Sequence, residues 1–246
     1  MEITLWLCAA FFAVAAIYSL FGFGGGSSYL AILVIAGFSY KSIAPVALSC
    51  NIIVAASGFY QYARAGHFNF RKTASFIILS IPMAYWGGSL TVSKRVFCLL
   101  LGFSIFFAAL RLLITREFQV KVPTNTQQWA LGIFAGGGIG FLSGLVGIGG
   151  GIFLSPLLLA VRWADAKQAA AAAAFFILVN SAAGLAAHLS KAPLEFSSVW
   201  PLMLSVFAGG LIGSRVGAHH VPNPVLRRML AFFIFYASFK LIGMAL

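Results

Sequence analysis

A chain of 246 residues that is 61% hydrophobic and 8% charged, with a mean hydropathy of +1.00, holds about a third of the charge of an average soluble protein and cannot solvate its own surface. Uncharged stretches of roughly 20 residues recur along its length, each long enough to cross about 30 Å of hydrocarbon, so the composition excludes a soluble domain and implies an all-α polytopic integral membrane protein. The formal charge of +12 would suggest nucleic acid in a soluble chain, but the basic residues fall mostly between apolar runs, as expected of loops that orient a membrane protein, and no nucleic-acid partner is expected.

The segment Met1 to Leu20 carries Glu2 and has no Lys or Arg in its first residues, so it reads as a retained first helix rather than a signal peptide. The apolar runs are approximately 3 to 21, 27 to 38, 42 to 63, 73 to 92, 96 to 114, 129 to 148, 152 to 161, 166 to 189, 196 to 214 and 225 to 245. The second and seventh hold only about 10 to 15 residues, which at about 1.5 Å each reach roughly half to two-thirds of the hydrocarbon thickness. Both follow a glycine cluster, Gly24-Gly25-Gly26 and Gly149-Gly150-Gly151. Glycine weakens a helix by roughly 1 kcal/mol per residue and permits positive φ, so each cluster marks where one helix stops and a short one starts. Cys8, Cys50 and Cys98 lie in apolar runs without metal-ligand spacing and suggest neither a disulfide framework nor a zinc site.

Sliding the chain against itself by about 126 residues aligns the two glycine clusters, Lys41 with Lys167, Gly58 with Gly184, Tyr62 with His188 and Gly87 with Gly213. This internal duplication predicts two membrane repeats of about five segments each, residues 1–115 and 129–246, joined by a linker at 116–128 that contains Pro123. About eight full spans plus two short, glycine-broken helices result. Five reversals per copy leave the copies inverted, and the charges favour that count. One side then holds Arg64, Arg71, Lys72, Arg116, Lys121, Arg162, Lys167, Arg215, Arg227 and Arg228; the other keeps Lys41, Lys94, Arg95 and Lys191. Four crossings per copy would split the same residues almost evenly, against the positive-inside tendency. Inverted repeats with both termini outside are therefore expected.

Inverted repeats with paired broken helices point to a transporter, because alternating access can exchange two related halves around a midplane site. The N-termini of the short helices present unpaired N–H groups and partial positive charge, which suit an anion. Ser27 and Ser28 add hydroxyls at the first break, while Ile152 and Phe153 follow the second. The competing reading is that the glycines merely permit close helix packing, as is expected of Gly132, Gly136, Gly140 and Gly144 on a small-xxx-small face.

Polar residues deep in apolar runs are costly and so informative. Asn51, with Ser49 near it, and Asn180, followed by Ser181, occupy near-equivalent positions three residues out of register; their amides can orient an oxyanion or serve as interhelical glue. Tyr62 and His188 lie toward the loop ends of the same helices as candidate coupling or gate residues, and an interfacial role for His188 is an equal reading. Glu2, Glu117, Asp165 and Glu195 all fall at span ends or in loops, which argues against a cation substrate and against a Na+ or proton path built on buried carboxylates. No HExxH, GxSxG or buried carboxylate pair is present, so neither an enzyme, a cofactor nor a metal is expected.

The paired motif Gly22-Phe-Gly24-Gly25-Gly26 and Gly147-Ile-Gly149-Gly150-Gly151, each followed by a short apolar run, resembles the TauE/SafE (sulfite exporter, TSUP) family of membrane permeases. The segments Gly66-His67-Phe68-Asn69, Ala192-Pro193-Leu194-Glu195 and Gly213-Ser214-Arg215-Val216-Gly217 also look like that family. The resemblance covers essentially the whole chain and implies passage of sulfite, thiosulfate or small organosulfonates across a bacterial cytoplasmic membrane. The second copy departs from it at Ile152, Phe153 and Asn180. The expected substrate site combines Gly24, Gly25, Gly26, Ser27, Ser28, Asn51, Gly149, Gly150, Gly151, Asn180 and Ser181. An anion channel, or a non-transporting assembly or anchor component, is the alternative.

Overall fold

The computed structural model describes residues 5–90, 125–161, 163–190 and 199–226, together with 228, 229 and 232. These form helices α1 (Leu5–Ser19), α2 (Gly26–Ile35), α3 (Tyr40–Arg64), α4 (Phe70–Ser89), α5 (Asn125–Val146), α6 (Gly151–Ala160), α7 (Ala166–Leu189) and α8 (Trp200–His219). The predicted span at 96 to 114 lies outside the described residues, as does most of that at 225 to 245. Because α5 begins at Asn125, the last residues assigned to the linker form its first turn: polar side chains end a membrane helix at the water interface without ending its hydrogen bonding.

Local chemistry sets these boundaries. Asp165 caps α7 by accepting from the Gln168 N–H at 2.9 Å, and the Gln168 side chain accepts from the Asp165 N–H at 3.3 Å, a reciprocal capping box. The alanines from Ala169 to Ala174 are all buried; they propagate the helix well and let neighbours approach. Asn69 caps α4 through the Lys72 N–H at 3.2 Å. The ten-residue helices α2 and α6 follow the N-cap residues Gly25 and Gly150, whose φ of 90° and 77° lie in the left-handed region. At about 1.5 Å per residue each reaches roughly 15 Å, half of the hydrocarbon layer.

Among the described residues, four helical stretches, Ser42–Arg64, Trp129–Val146, Ala166–Leu189 and Trp200–His219, are long and apolar enough to cross a membrane. Helix α4 has 20 residues but carries Arg71 and Lys72 in its first turn, and α1 is shorter at 15. Large apolar side chains also face outward: Ile35 is 80% and Phe134 75% exposed. A surface of this kind is stable against lipid; the regular structure among the described residues is all α-helix, and the protein is a multi-pass membrane protein.

Helices α3 and α7 pack together at the centre; α4 packs on α5, α1 on α8, α3 on α8, α4 on α7, α2 on α3 and α6 on α7. Exchanging α1–α4 with α5–α8 maps these pairings onto one another. Directions follow from the closest approaches. Leu48 of α3 meets Gly184 at 3.7 Å, and Ala174 meets Gly58 of α3 at 3.6 Å, measured from where a glycine Cβ would lie, so α3 and α7 run antiparallel. On α8, Gly209, Gly213 and Gly217 press against the carbonyls of Phe12, Ala16 and Leu20 in turn, which makes α1 and α8 parallel. On α5, Gly136, Gly140 and Gly144 press against the carbonyls of Phe76, Ser80 and Ala84, and Gly132 against Ser75. These four glycines thus form the close-packing face expected of them.

One end of the bundle collects cations. Lys72 Nζ donates to the Trp163 carbonyl at 3.1 Å, and Lys167 Nζ to the Ala218 carbonyl at 2.9 Å. The starts of α4 and α7 and the end of α8 therefore share a face, and Lys72 and Lys167, grouped together by sequence, meet there.

Candidate functional site

Each glycine loop packs against a helix from the other half of the chain. Gly22, in the first, presses against the Ala170 carbonyl of α7; Gly147, in the second, faces Ala44 Cβ at 3.5 Å and Leu48 of α3. Only glycine fits several of these places. A Cβ on Gly24 would collide with the Asn51 side chain, and one on Gly26 would meet the Asn51 amide and, at 2.9 Å, Ile148 Cα of the second loop. A Cβ on Gly149 would lie 2.9 Å from Ser181 Oγ and 3.3 Å from Asn51 Nδ2. The Asn51 amide is therefore enclosed between the two loops, next to the Ser181 hydroxyl.

Asn51 is fully buried, and neither its Nδ2 nor its Oδ1 has a hydrogen-bond partner among the described residues. Ser181 Oγ and Asn180 Oδ1 are likewise buried and unpartnered, although Asn180 Nδ2 donates to the Phe176 carbonyl at 2.8 Å. An unmet buried polar atom costs about 1–3 kcal/mol. Interhelical glue would have satisfied the Asn51 amide; here it is presented unpaired, beside the N-terminus of α2, where the Ser28 and Tyr29 N–H groups donate to the Gly25 carbonyl and those of Gly26 and Ser27 precede the first such bond.

The two halves of this centre are chemically unequal. Gly24 and Gly26 face Asn51, whereas Gly149 and Gly151 face Ile177, with 2.7 Å from Ile177 Cγ2 to the Gly149 Cβ position. Ile177, not Asn180, stands against the second glycine loop as Asn51 stands against the first. The reason is that α3 and α7 keep register with their loops without a gap, so a residue three positions on falls elsewhere on the helix.

Other expected site residues are placed differently. Ser28 shares a hydrogen bond of 2.7 Å with the Tyr18 hydroxyl, and Ser27 is 3.4 Å from the same oxygen, so both serines are tied to α1. Gly25 is enclosed by Val14 and Tyr29, and Gly150 by Phe176, Ile139 and Ser143. Tyr62 is buried and donates to the Leu20 carbonyl. It lies near the cationic end of the bundle, while His188, its counterpart in sequence, is in the last turn of α7 at the other end. The structure does not bring these two together. Tyr18, Tyr29 and Ser143 belong to the surroundings of the loops and were not singled out by sequence; the available signal was their place one turn before or after the glycines. Tyr29 Oη and Ser143 Oγ are also buried without a partner.

At the cationic end, the imidazole of His67 has its pKa lowered, first by burial and then by Lys167, with Asp165 and the Ala218 carbonyl acting the other way. Together these features make a neutral, buried amide and hydroxyl centre flanked by the start of α2, with Lys72 and Lys167 at one end of the bundle.

Residues 7–241 match the family described as sulfite exporter TauE/SafE. The chain is 33% identical over 243 residues to the probable membrane transporter protein y4hK of Sinorhizobium fredii, covering 96% of this chain and 97% of that one. It is 29% identical over 232 residues to the probable membrane transporter protein MJ0441 of Methanocaldococcus jannaschii, covering 85% and 86%. No solved structure matches it.

Proposed function

The chain belongs to the sulfite exporter TauE/SafE family, and from that premise we propose that it is a secondary transporter of small anions, of the sulfite, thiosulfate or small organosulfonate class. The observation that carries this reading is the buried Asn51 amide, unpartnered at both atoms, between two glycine loops. An oxyanion there accepts from Asn51 Nδ2, from Ser181 and from the N-H groups at the start of α2, and the apolar second half at Ile177 closes the other side. Gly24, Gly25, Gly26, Gly149, Gly150 and Gly151 let backbone and ligand approach, and Asn180 lies on the same helix as Ser181.

Transport proceeds by alternating access of two inverted repeats, 1–115 and 129–246, in a bacterial cytoplasmic membrane with both termini outside. The antiparallel course of α3 and α7 and the exchange symmetry of the helix pairings support that arrangement. The close contact of the loops with Asn51 fits an occluded state that opens when the repeats move. Single-cysteine labelling at Lys191 and Arg71 tests the topology: the two react from opposite faces, and reaction from the same face overturns inversion.

The first experiment is a thermal-shift panel of detergent-purified protein with sulfite, sulfate, thiosulfate, sulfoacetate, taurine, acetate and chloride at matched ionic strength. Selective stabilisation by a sulfur oxyanion is expected by mass action, is reduced in Asn51→Leu, and is followed by saturable flux in liposomes. Flux that does not saturate favours a channel. The tight packing at Gly24 and Gly26 is what a non-transporting anchor component would also have; absence of stabilisation by every anion favours that reading.

A further inference from the structure

The Asn51 amide offers more than a donor. Its two atoms are both buried and unpartnered, so whichever way the amide is turned it presents an NH2 donor group and a carbonyl acceptor. A fully deprotonated oxyanion satisfies donors alone and leaves Asn51 Oδ1 facing its negative charge. From the paired donor and acceptor at Asn51 we infer that the site selects a monoanion that itself carries one hydrogen-bond donor, so that its hydrogen meets Asn51 Oδ1 while its oxygens take Asn51 Nδ2 and Ser181 Oγ.

This deepens the proposed anion transport and rests on it. Two kinds of ligand share the chemistry: an inorganic oxyanion that retains its acid proton, such as hydrogensulfite, and a sulfonate with a hydroxyl on carbon. In the first case the proton crosses on the substrate, and no proton-carrying side chain is needed in the centre. The residues that close on the Asn51 side chain are Gly24, Gly26, Ile148 and Gly149, with Ile177 and Ser181 from α7; none of them titrates. Cys50, next to Asn51 in sequence, and Tyr29, in α2, are buried, Tyr18 is hydrogen-bonded to Ser28, and the charged groups Lys72, Asp165 and Lys167 lie at the end of the bundle.

The test compares two monoanions of nearly equal shape, hydroxymethanesulfonate and ethanesulfonate, by thermal-shift titration of the purified protein at one pH. The donor-bearing ion is expected to bind about tenfold or more tightly, since a site built to pair a ligand O–H leaves an unmet polar group with the analogue that lacks it. Asn51→Ala is expected to equalise the two, and Ser181→Ala to weaken both while keeping the preference. Equal binding to the wild-type protein overturns the inference and leaves the anion site standing; so does a preference that survives Asn51→Ala. If neither ion nor any anion of the wider panel stabilises the protein, the transport reading fails and this one with it. If Asn51→Ala does not fold, the wild-type comparison still decides. A sulfite titration across neutral pH separates the two sources: affinity that falls as hydrogensulfite loses its proton, against constant hydroxymethanesulfonate binding, assigns the acid proton. Constant sulfite affinity assigns the hydroxyl of a sulfonate, provided that the organic pair differs.

Discussion

Two glycines of α5 that look alike in sequence make opposite demands. A Cβ on Gly144 would collide with the backbone carbonyl of Ala84, which cannot rotate away, so Gly144→Ala must push α4 and α5 apart along their shared face. Overpacking of this kind costs about 1–3 kcal/mol, against a gain of roughly 1 kcal/mol for replacing glycine by alanine within a helix. The expected net effect is a loss of up to about 2 kcal/mol, and more if the neighbouring close approaches at Gly136 and Gly140 loosen with it. Gly138, two turns earlier on the same helix, is exposed and has nothing within 4 Å of its Cβ position. Gly138→Ala should keep only the helix gain and raise stability by about 0.5–1 kcal/mol. Thermal unfolding of both variants in the same detergent, read by retention of monodisperse protein after heating, compares them directly. A Gly144→Ala protein stabilised as much as Gly138→Ala, or a Gly138→Ala protein less stable than the wild type, would refute the packing argument.

Tyr18→Phe removes the 2.7 Å hydrogen bond to Ser28 and should lower stability by about 1 kcal/mol, measured by the same thermal assay, with any change in anion stabilisation reporting on the position of α2. Asp165→Ala deletes the α7 capping box and should cost about 1 kcal/mol; hydrogen exchange at the first turn of α7 should rise while that of α1 does not. For His67, the lowered pKa means that the unfolded chain binds more protons between the folded value and the ordinary 6.5, so stability falls as pH drops below 6.5 and levels off beneath the folded value. His67→Gln should flatten that acid side, and an unchanged pH profile of thermal stability would show that His67 does not contribute.

Sequence located the helices well because lipid leaves few options: a segment that crosses hydrocarbon must satisfy its own backbone, and the place where it cannot is marked by glycine. The run at 166 to 189 is helix α7 to the residue, and the short runs begun at 27 and 152 are helices starting at Gly26 and Gly151. The choice of partner was not legible in the same way. Asn51 and Asn180 look like counterparts by chemistry, yet the helix that faces the second glycine loop presents Ile177 at the equivalent place. Ser27 and Ser28 look like free donors beside the loop, yet Tyr18 from the preceding helix reaches both.

Composition and hydropathy by themselves determined that this is a helical membrane protein, because solvation is a sum over residues and does not depend on which of them touch. The glycine clusters determined where helices break, because positive φ and helix propensity are local. Only the tertiary structure decided that each loop packs on a helix from the other half of the chain, that the surroundings of the two loops are chemically unequal, and that the Asn51 amide is enclosed with donor and acceptor both unpaired. Those are statements about which atoms meet across more than a hundred residues of chain, fixed by the packing of α3 against α7, and no periodicity along the sequence encodes them.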